Sequence, residues 1–373
     1  MYKVVWAATL AVGLSAAGSV LAQENTIVIL QAQTGVGAFA GAGAAAGAKY
    51  AADELIAKGF FDPLKIRVVV EDDASDRNQA TSAFSRYARD PRVLMVLGPT
   101  IGPTAIAAGA VANEHKLAMM PLTNTPTVLA TGPFSFLGSQ PASVTVPHIA
   151  KYAYDKMGAR NCHIMSLSDN EAYVQWSKSF REEFGKLGGT IVSEAAVKSS
   201  ETDFSAISTR LVSAKPECIF FATNAVVGAN LTLQMHQAGI SKNTRFIGQT
   251  GLSSPDLIKI AGAAVEGLVL AADWYPGGSN DMGRALSANY KRDKGVEVDN
   301  WIAMGYSFMQ VAAHAVKNAG ANPTRESVRD ALAKTKDVPI VIGSGKYSYI
   351  GDRMPEYGVT FLKVSNGKFV LAD

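Results

Sequence analysis

Two cysteines in 373 residues are too few for a disulfide framework, and the five histidines (His115, His148, His163, His236, His314) fall at no spacing that suits a metal ion. A formal charge of +3, shared by 35 basic and 32 acidic residues without a basic block, excludes a footprint for nucleic acid or an anionic membrane. No Gly-x-Ser-x-Gly elbow and no His-Glu-x-x-His motif occurs, so the common hydrolytic signatures are missing. The apolar run at 4–18 is also shorter than the roughly 20 residues that span a bilayer.

That run has a different reading. Lys3 supplies a positive start, 4–18 is an uncharged apolar stretch, and Val20-Leu21-Ala22 ends in a small residue. This is the pattern of a secretory signal peptide over 1–22, with the exported chain beginning at Gln23. A glutamine at 23, where a lipid-anchor acceptor would be cysteine, predicts a freely soluble periplasmic protein.

About 350 residues exceed what one core comfortably holds, and the pattern divides accordingly. Short β-rich runs at 26–30, 66–70, 93–97 and 118–122 alternate with helical spacing, as in Ala80, Ala83, Phe84, Tyr87 and Ala88, which Ser75 or Asp76 would cap. After a polar stretch at 131–143 the alternation restarts, with strands at 162–167, 190–192, 218–222, 245–248 and 267–271. Helices follow 274, and a hairpin at 358–371 turns on Ser365-Asn366-Gly367. The chain reads as two doubly wound α/β lobes, 23–138 plus 274–350 and 139–273 plus 351–373, joined by three crossings near Gly138, Ala272 and Gly351. Cys162 and Cys218 each open a strand of the second lobe. In a doubly wound order those strands are neighbours, which leaves both a disulfide and two buried thiols open, the thiols being favoured.

One motif points elsewhere. Gly35-Val36-Gly37-Ala38-Phe39-Ala40 fits G-x-G-x-x-A after a strand, and Glu71, Asp72 and Asp73 end the next one, as in a dinucleotide enzyme. Export, the long spacing to the acids, and Gly41, Gly43 and Gly47, which read as a continuing flexible loop, oppose it.

Several short segments, taken in order, carry a resemblance. They are Thr34-Gly35, Ala51-Ala52-Asp53-Glu54-Leu55-Ile56 before Lys58-Gly59, Glu71-Asp72-Asp73-Ala74-Ser75, Leu97-Gly98-Pro99, Pro121-Leu122-Thr123-Asn124-Thr125-Pro126, Asp203-Phe204-Ser205, Gln237-Ala238-Gly239 and Glu266-Gly267. In this order the chain resembles the ligand-binding proteins of ABC importers for branched-chain amino acids, the leucine/isoleucine/valine-binding type. The resemblance implies a type I periplasmic binding clamshell that closes by hinge motion on a ligand in the cleft between two Rossmann-like lobes.

It implies a ligand site drawn from Thr100, Gly102, Thr104, Leu122, Thr123 and Asn124 on the first lobe and Tyr173, Asn224 and Thr250 on the second, with Trp274 at a crossing. Two positions depart from the family pattern at the carboxylate clamp, Gly102 for serine and Asn124 for threonine, with Thr100, Thr104, Thr123 and Thr125 near enough to substitute. A third, Thr250, stands where an acid usually meets the ligand ammonium, which turns attention to Asp169 or Asp273. The implied function is capture of a small amphipathic amino acid or carboxylate and its delivery to a membrane ABC permease, without catalysis, cofactor, metal or nucleic acid. The alternatives are a binder of aromatic or other non-amino organic acids, a periplasmic sensor, and an α/β dinucleotide enzyme.

Overall fold

The computed structural model describes residues 24–278 and 280–372, so the leader read at 1–22 lies outside the described residues. Among them no helix is long and apolar enough to cross a membrane. The first set of elements is β1 (Asn25–Gln31), α1 (Ala38–Ala57), β2 (Ile66–Asp72), α2 (Arg77–Ala88), β3 (Val93–Leu97), α3 (Gly102–Glu114) and β4 (Ala118–Met120). The strands form a parallel sheet in the order β2-β1-β3-β4. The second set is α4 (Ala142–Lys151), β5 (Asn161–Leu167), α5 (Glu171–Lys186), β6 (Thr190–Val197), α6 (Ser205–Ala214), β7 (Cys218–Ala222), α7 (Ala225–Gln237), β8 (Arg245–Gly248), α8 (Pro255–Ala261) and β9 (Val269–Ala272).

The chain then returns to the first sheet with α9 (Asp281–Lys294), α10 (Asn300–Asn318), α11 (Arg325–Ala333) and a small antiparallel sheet of β10 (Val338–Pro339), β11 (Lys346–Ile350) and β12 (Met354–Glu356). It ends in the hairpin of β13 (Thr360–Ser365) and β14 (Lys368–Leu371), which extends the second sheet to the order β14-β13-β9-β8-β7-β5-β6. Both sheets wind from the same 2-1-3-4 plan, which opens a crevice at the carboxyl ends of the strands.

Parallel strands covered on both faces need apolar side chains at every position, and β3 (VLMVL) and β7 (CIFFA) are buried throughout. On β5 and β7, Cys162, Ile164, Cys218 and Phe220 face a cluster with Trp176, Phe180 and Phe184 of α5, while Met165, Ile219 and Phe221 face the opposite one. Cys162 and Cys218 are register partners on those neighbouring strands, and both are buried free thiols. Asp76, not Ser75, caps α2, accepting from the amides of Asn78 and Gln79 at 3.0 and 2.9 Å.

Gly41, Gly43 and Gly47 correct the loop expected there, because all three lie inside the 20-residue helix α1. Small side chains serve contact between helices. A Cβ built on Gly47 would stand 1.9 Å from the carbonyl oxygen of Ile302, and one on Gly305 would stand 2.0 Å from that of Ala44. Thus α1 and α10 touch backbone to backbone, and α10, buried nearly all round, anchors the first core.

Gly351, read as the third crossing, sits in the turn between β11 and β12. The chain leaves the first core only after Tyr357, which belongs to that core, and Val359 already packs on the second sheet. The other two passages run through 138–141 and through Asp273, directly after β9.

Gly47→Ala is expected to destabilise by ~1–3 kcal/mol, since the added methyl forces two backbones apart. Gly185→Ala, inside α5 with nothing within 4 Å of the new carbon, is expected to stabilise by up to about 1 kcal/mol. Urea denaturation of the two variants reads both signs, and equal midpoints would contradict the helix contact.

Candidate ligand cleft

A cavity of about 680 Å³ opens where the strands of both sheets end. The first sheet's side is formed by Val36, Phe39 and Ala40 at the start of α1, Arg77 of α2, Thr100 to Pro103 and Ile106 around the start of α3, and Leu122 to Thr125 after β4. Trp301 and Met304 of α10 complete that wall. Opposite stand Asp169 to Tyr173 and Trp176 at the start of α5, Ser199 after β6, and Gln249 to Gly251 after β8. The passages between the sheets supply the floor, with Ser139, Gln140, Asp273 and Tyr357.

The helices that begin here are not equivalent. Asn170 caps α5 by accepting from the amide of Ala172, and Asn224 caps α7 by accepting from that of Val227. By contrast Ile101, at the N-cap of α3, has no side-chain acceptor, so the first-turn amides of Gly102 and Thr104, Pro103 having none, are left for another anion or water. Gly102 keeps this end open: a Cβ there would stand 2.9 Å from Thr125 Oγ1, between the helix terminus and the hydroxyl.

Of the residues singled out by sequence, Thr100, Gly102, Leu122, Thr123, Asn124, Tyr173 and Thr250 line this one cavity. Three do not. Thr104 is fully buried in α3 and donates to the Ile101 carbonyl at 2.9 Å. Asn224 is occupied as a cap. Trp274 is 2% exposed, packs in the first core, and donates its indole N–H to the Val298 carbonyl at 3.1 Å. That internal acceptor is what lets the indole be swallowed.

Among the lining groups some are already committed. Thr100 donates to Gln31 Oε1 and accepts from the Ala32 amide, both at 2.7 Å, so it fastens β1 to the loop after β3. Thr123 donates to Thr125 Oγ1 at 2.9 Å and accepts from the Thr125 amide, which leaves the Thr125 hydroxyl proton uncommitted. Burial pushes the Tyr173 hydroxyl up to about 12, so it remains a neutral donor, close to the site of a Cβ on Gly251 at 3.0 Å. Phe39 is 69% exposed at the rim and meets Trp301 edge-on at 5.6 Å between ring centres. Sequence reading missed this apolar wall because Phe39 lay in the supposed loop.

The three lining acids differ. Both oxygens of Asp169 accept from Ser199, its amide at 2.9 Å and its hydroxyl at 2.8 Å, which holds that carboxyl below its ordinary range. Glu171 is exposed in the first turn of α5. Asp273 is buried, and burial pushes it up to about 6 against hydrogen bonds from Tyr357 and Asn300.

The G-x-G-x-x-A segment does not cradle a phosphate. Asp72 accepts from the amides of Gln33 and Thr34 and from the Thr34 hydroxyl, and Ser75 Oγ accepts from the Gly37 amide at 2.8 Å. Within the motif the amides of Gly37, Ala38 and Ala40 are taken by Ser75 Oγ and by the Gly35 and Gly37 carbonyls, which leaves fewer donors for a pyrophosphate.

Comparison with known proteins agrees with this fold. A family model for periplasmic binding proteins matches residues 24–368. The Leu/Ile/Val-binding protein BraC3 of Rhizobium johnstonii is 27% identical over 357 residues, covering 94% of each chain. The solved leucine-binding protein LivK of Thermotoga maritima superposes with a TM-score of 0.81 at 24% identity, over 94% of this chain and 98% of that one. A solute-binding protein of an ABC transporter from Rhodopseudomonas palustris, solved with 3,4-dihydroxybenzoic acid, gives 0.79 at 22% identity, over 93% and 95%.

An acid whose folded pKa lies above its unfolded value stabilises the fold at low pH and loses that contribution as pH rises, here between about 4 and 6. Asp73, also pushed up to about 6 by burial, acts in the same direction, while buried His163, held down to about 4, acts oppositely between about 4 and 6.5. The variant minus wild-type difference isolates one group. Asp273→Asn is expected to gain ~3 kcal/mol relative to wild type between pH 4 and pH 8 in ligand-free urea denaturation. A difference independent of pH would show that Asp273 ionises as it does in the unfolded chain.

Proposed function

Because the chain belongs to the periplasmic binding protein family, whose members are solute-binding proteins and not enzymes, we propose that it captures a small amphipathic amino acid or carboxylate in this cleft. The proposed setting is the periplasm, and the proposed receiver of the ligand is a membrane ABC permease. The observation that carries the reading is the contrast among helix termini: α5 and α7 are capped by asparagine, whereas α3 meets the cavity uncapped beside Thr125. An anion seated there gains backbone donors and the dipole of a 13-residue helix without a basic side chain. Arg77, the single base among the described lining residues, sits exposed at the rim.

The apolar part of the ligand then meets Phe39, Ile106, Trp301 and Met304 on the same wall, with Tyr173 approaching from the other side. A cavity near 680 Å³ lies within the range of ordinary small-molecule sites and exceeds what a leucine-sized ligand fills. Two sheets joined only through three short passages support a hinge and not a rigid interface.

A second reading, an aromatic carboxylate without an amine, draws support from Thr250, where no acid stands. The Rhodopseudomonas palustris neighbour of the same fold is solved with a dihydroxybenzoate, which supports weighing such a ligand.

A thermal-shift screen across amino acids and organic acids tests both, since a ligand at 100 times its dissociation constant stabilises by about 2.7 kcal/mol. The best ligand is expected to shrink the radius of gyration in small-angle scattering while leaving secondary structure unchanged; no shrinkage would count against closure. Tyr173→Ala is expected to weaken that ligand by at least ~1 kcal/mol, and Tyr173→Phe by less. An unaltered affinity in both would remove Tyr173 from the site.

A further inference from the structure

A second cavity of about 270 Å³ adjoins the cleft and shares Asn124, Thr125, Glu171, Ala172 and Trp176 with it. Its far side is built by the start of α4 and by Gln175 and Ser179 of α5. Trp176 stands at the junction. It is 2% exposed and packs with Phe180 and Phe184, yet its indole N–H, a donor only, meets no acceptor among the described residues. A buried indole N–H ordinarily has a partner, as that of Trp274 does. The Trp176 nitrogen is not sealed within the core, so its N–H faces the joined cavities.

The start of α4 adds two more donors. Pro141 at its N-cap has no side-chain acceptor, and the amides of Val144 and Thr145 turn back on the Pro141 carbonyl at 3.0 and 3.2 Å. The amides of Ala142 and Ser143 are left open. Asn124, between the two cavities, makes no side-chain hydrogen bond among the described residues.

No Lys, Arg or His lines this side chamber, and its one charged group is Glu171. A second carboxylate on the solute would face Glu171 with no base to offset the repulsion. A purely apolar tail would bury the Trp176 donor unpaired. An uncharged carbonyl flanked by N–H groups avoids both: its oxygen accepts from the indole and the helix amides, while its own N–H groups face Glu171 and Gln175.

We infer that the side chamber seats the far end of the solute, and that this end is an uncharged amide or urea at the tip of an aliphatic stem. The inference rests on the cleft being the ligand site, with the carboxylate at the start of α3 and the stem along Phe39 and Trp301. It accounts for a cleft larger than a leucine-sized ligand fills.

The test is calorimetry with probes that share a head and differ in the tail: citrulline, norleucine and 2-aminoadipate. Adipic acid monoamide, hexanoate and adipate repeat the series without the amine. In at least one series, wild type is expected to bind the uncharged carbonyl tail at least about 10-fold more tightly than the apolar and the charged tails. Trp176→Phe, which keeps a ring and removes the N–H, and Ser179→Leu, which fills the chamber, should each cut that preference to about two-fold or less. In proton–nitrogen NMR spectra, the indole resonance missing from Trp176→Phe should move downfield with the carbonyl-tailed probe and not with its apolar partner. Thermal melts verify that the variants are folded.

Equal or weaker binding of the carbonyl tail by wild type would overturn the inference and leave the cleft reading intact. So would an undiminished preference in both folded variants. Binding of none of the six would also overturn it, and the wider thermal-shift screen then decides the cleft reading by itself.

Discussion

The rest of the molecule hangs on one side chain, Gln140. Its Oε1 accepts from the amides of Tyr357 and Gly358 at 2.6 and 3.0 Å, and its Nε2 donates to the Gly358 carbonyl at 3.1 Å. This ties the first passage between the sheets to the third, two segments more than 200 residues apart in sequence. Tyr357 returns the contact by accepting from the Gln140 amide, and the hydroxyls of Tyr347 and Tyr349 hold the carbonyls of Leu137 and Gly138. Each such bond contributes only about 1 kcal/mol net, but an unmade one in this buried place would destabilise by more. The knot lies beneath the cavity, so the geometry of the floor and the spacing of the walls are set by the same few bonds.

Polarity within the cleft is distributed by what is already satisfied. Thr100, Asp72 and Asp169 look like binding groups in sequence, yet each is already engaged in hydrogen bonds that hold loops at the strand ends. What remains open is the end of α3, the Thr125 hydroxyl, Tyr173 and Asp273. A buried acid near neutrality weakens the empty fold at physiological pH, and a strained or unsatisfied group retained at a cleft is a mark of function.

Much of the architecture was legible because parallel strands must be apolar on both faces, which makes 93–97 and 218–222 stand out from their surroundings. The doubling of that pattern exposed the two sheets. Helix α1 was not legible. Its glycines weaken local propensity, and the contact with α10 that recruits them lies some 250 residues downstream, beyond any window of periodicity. The sheet β10–β12 is short and broken by glycine and proline, so it left no alternation to read, and the third crossing was placed too early as a result. Trp274 failed as a cleft wall for a related reason: nothing local announces that the Val298 carbonyl waits for its N–H. Of the site, the loops after β3 and β4 and Tyr173 were within reach because strand ends in such sheets face one crevice.

The contact between α1 and α10 also divides the cleft by its freedom to change. Phe39, Trp301 and Met304 ride on two helices whose backbones meet at Gly47 and Gly305, so a larger or smaller side chain on that wall cannot be accommodated by sliding one helix over the other. The loops that carry Asp169 to Tyr173 and Gln249 to Gly251 have no such lock. A lineage adapting to a new solute would thus meet an uneven field, rigid on one bank and permissive on the other. Among gene duplicates, divergence in diet should be written mainly on the second-sheet loops, while the first bank persists as inherited ground.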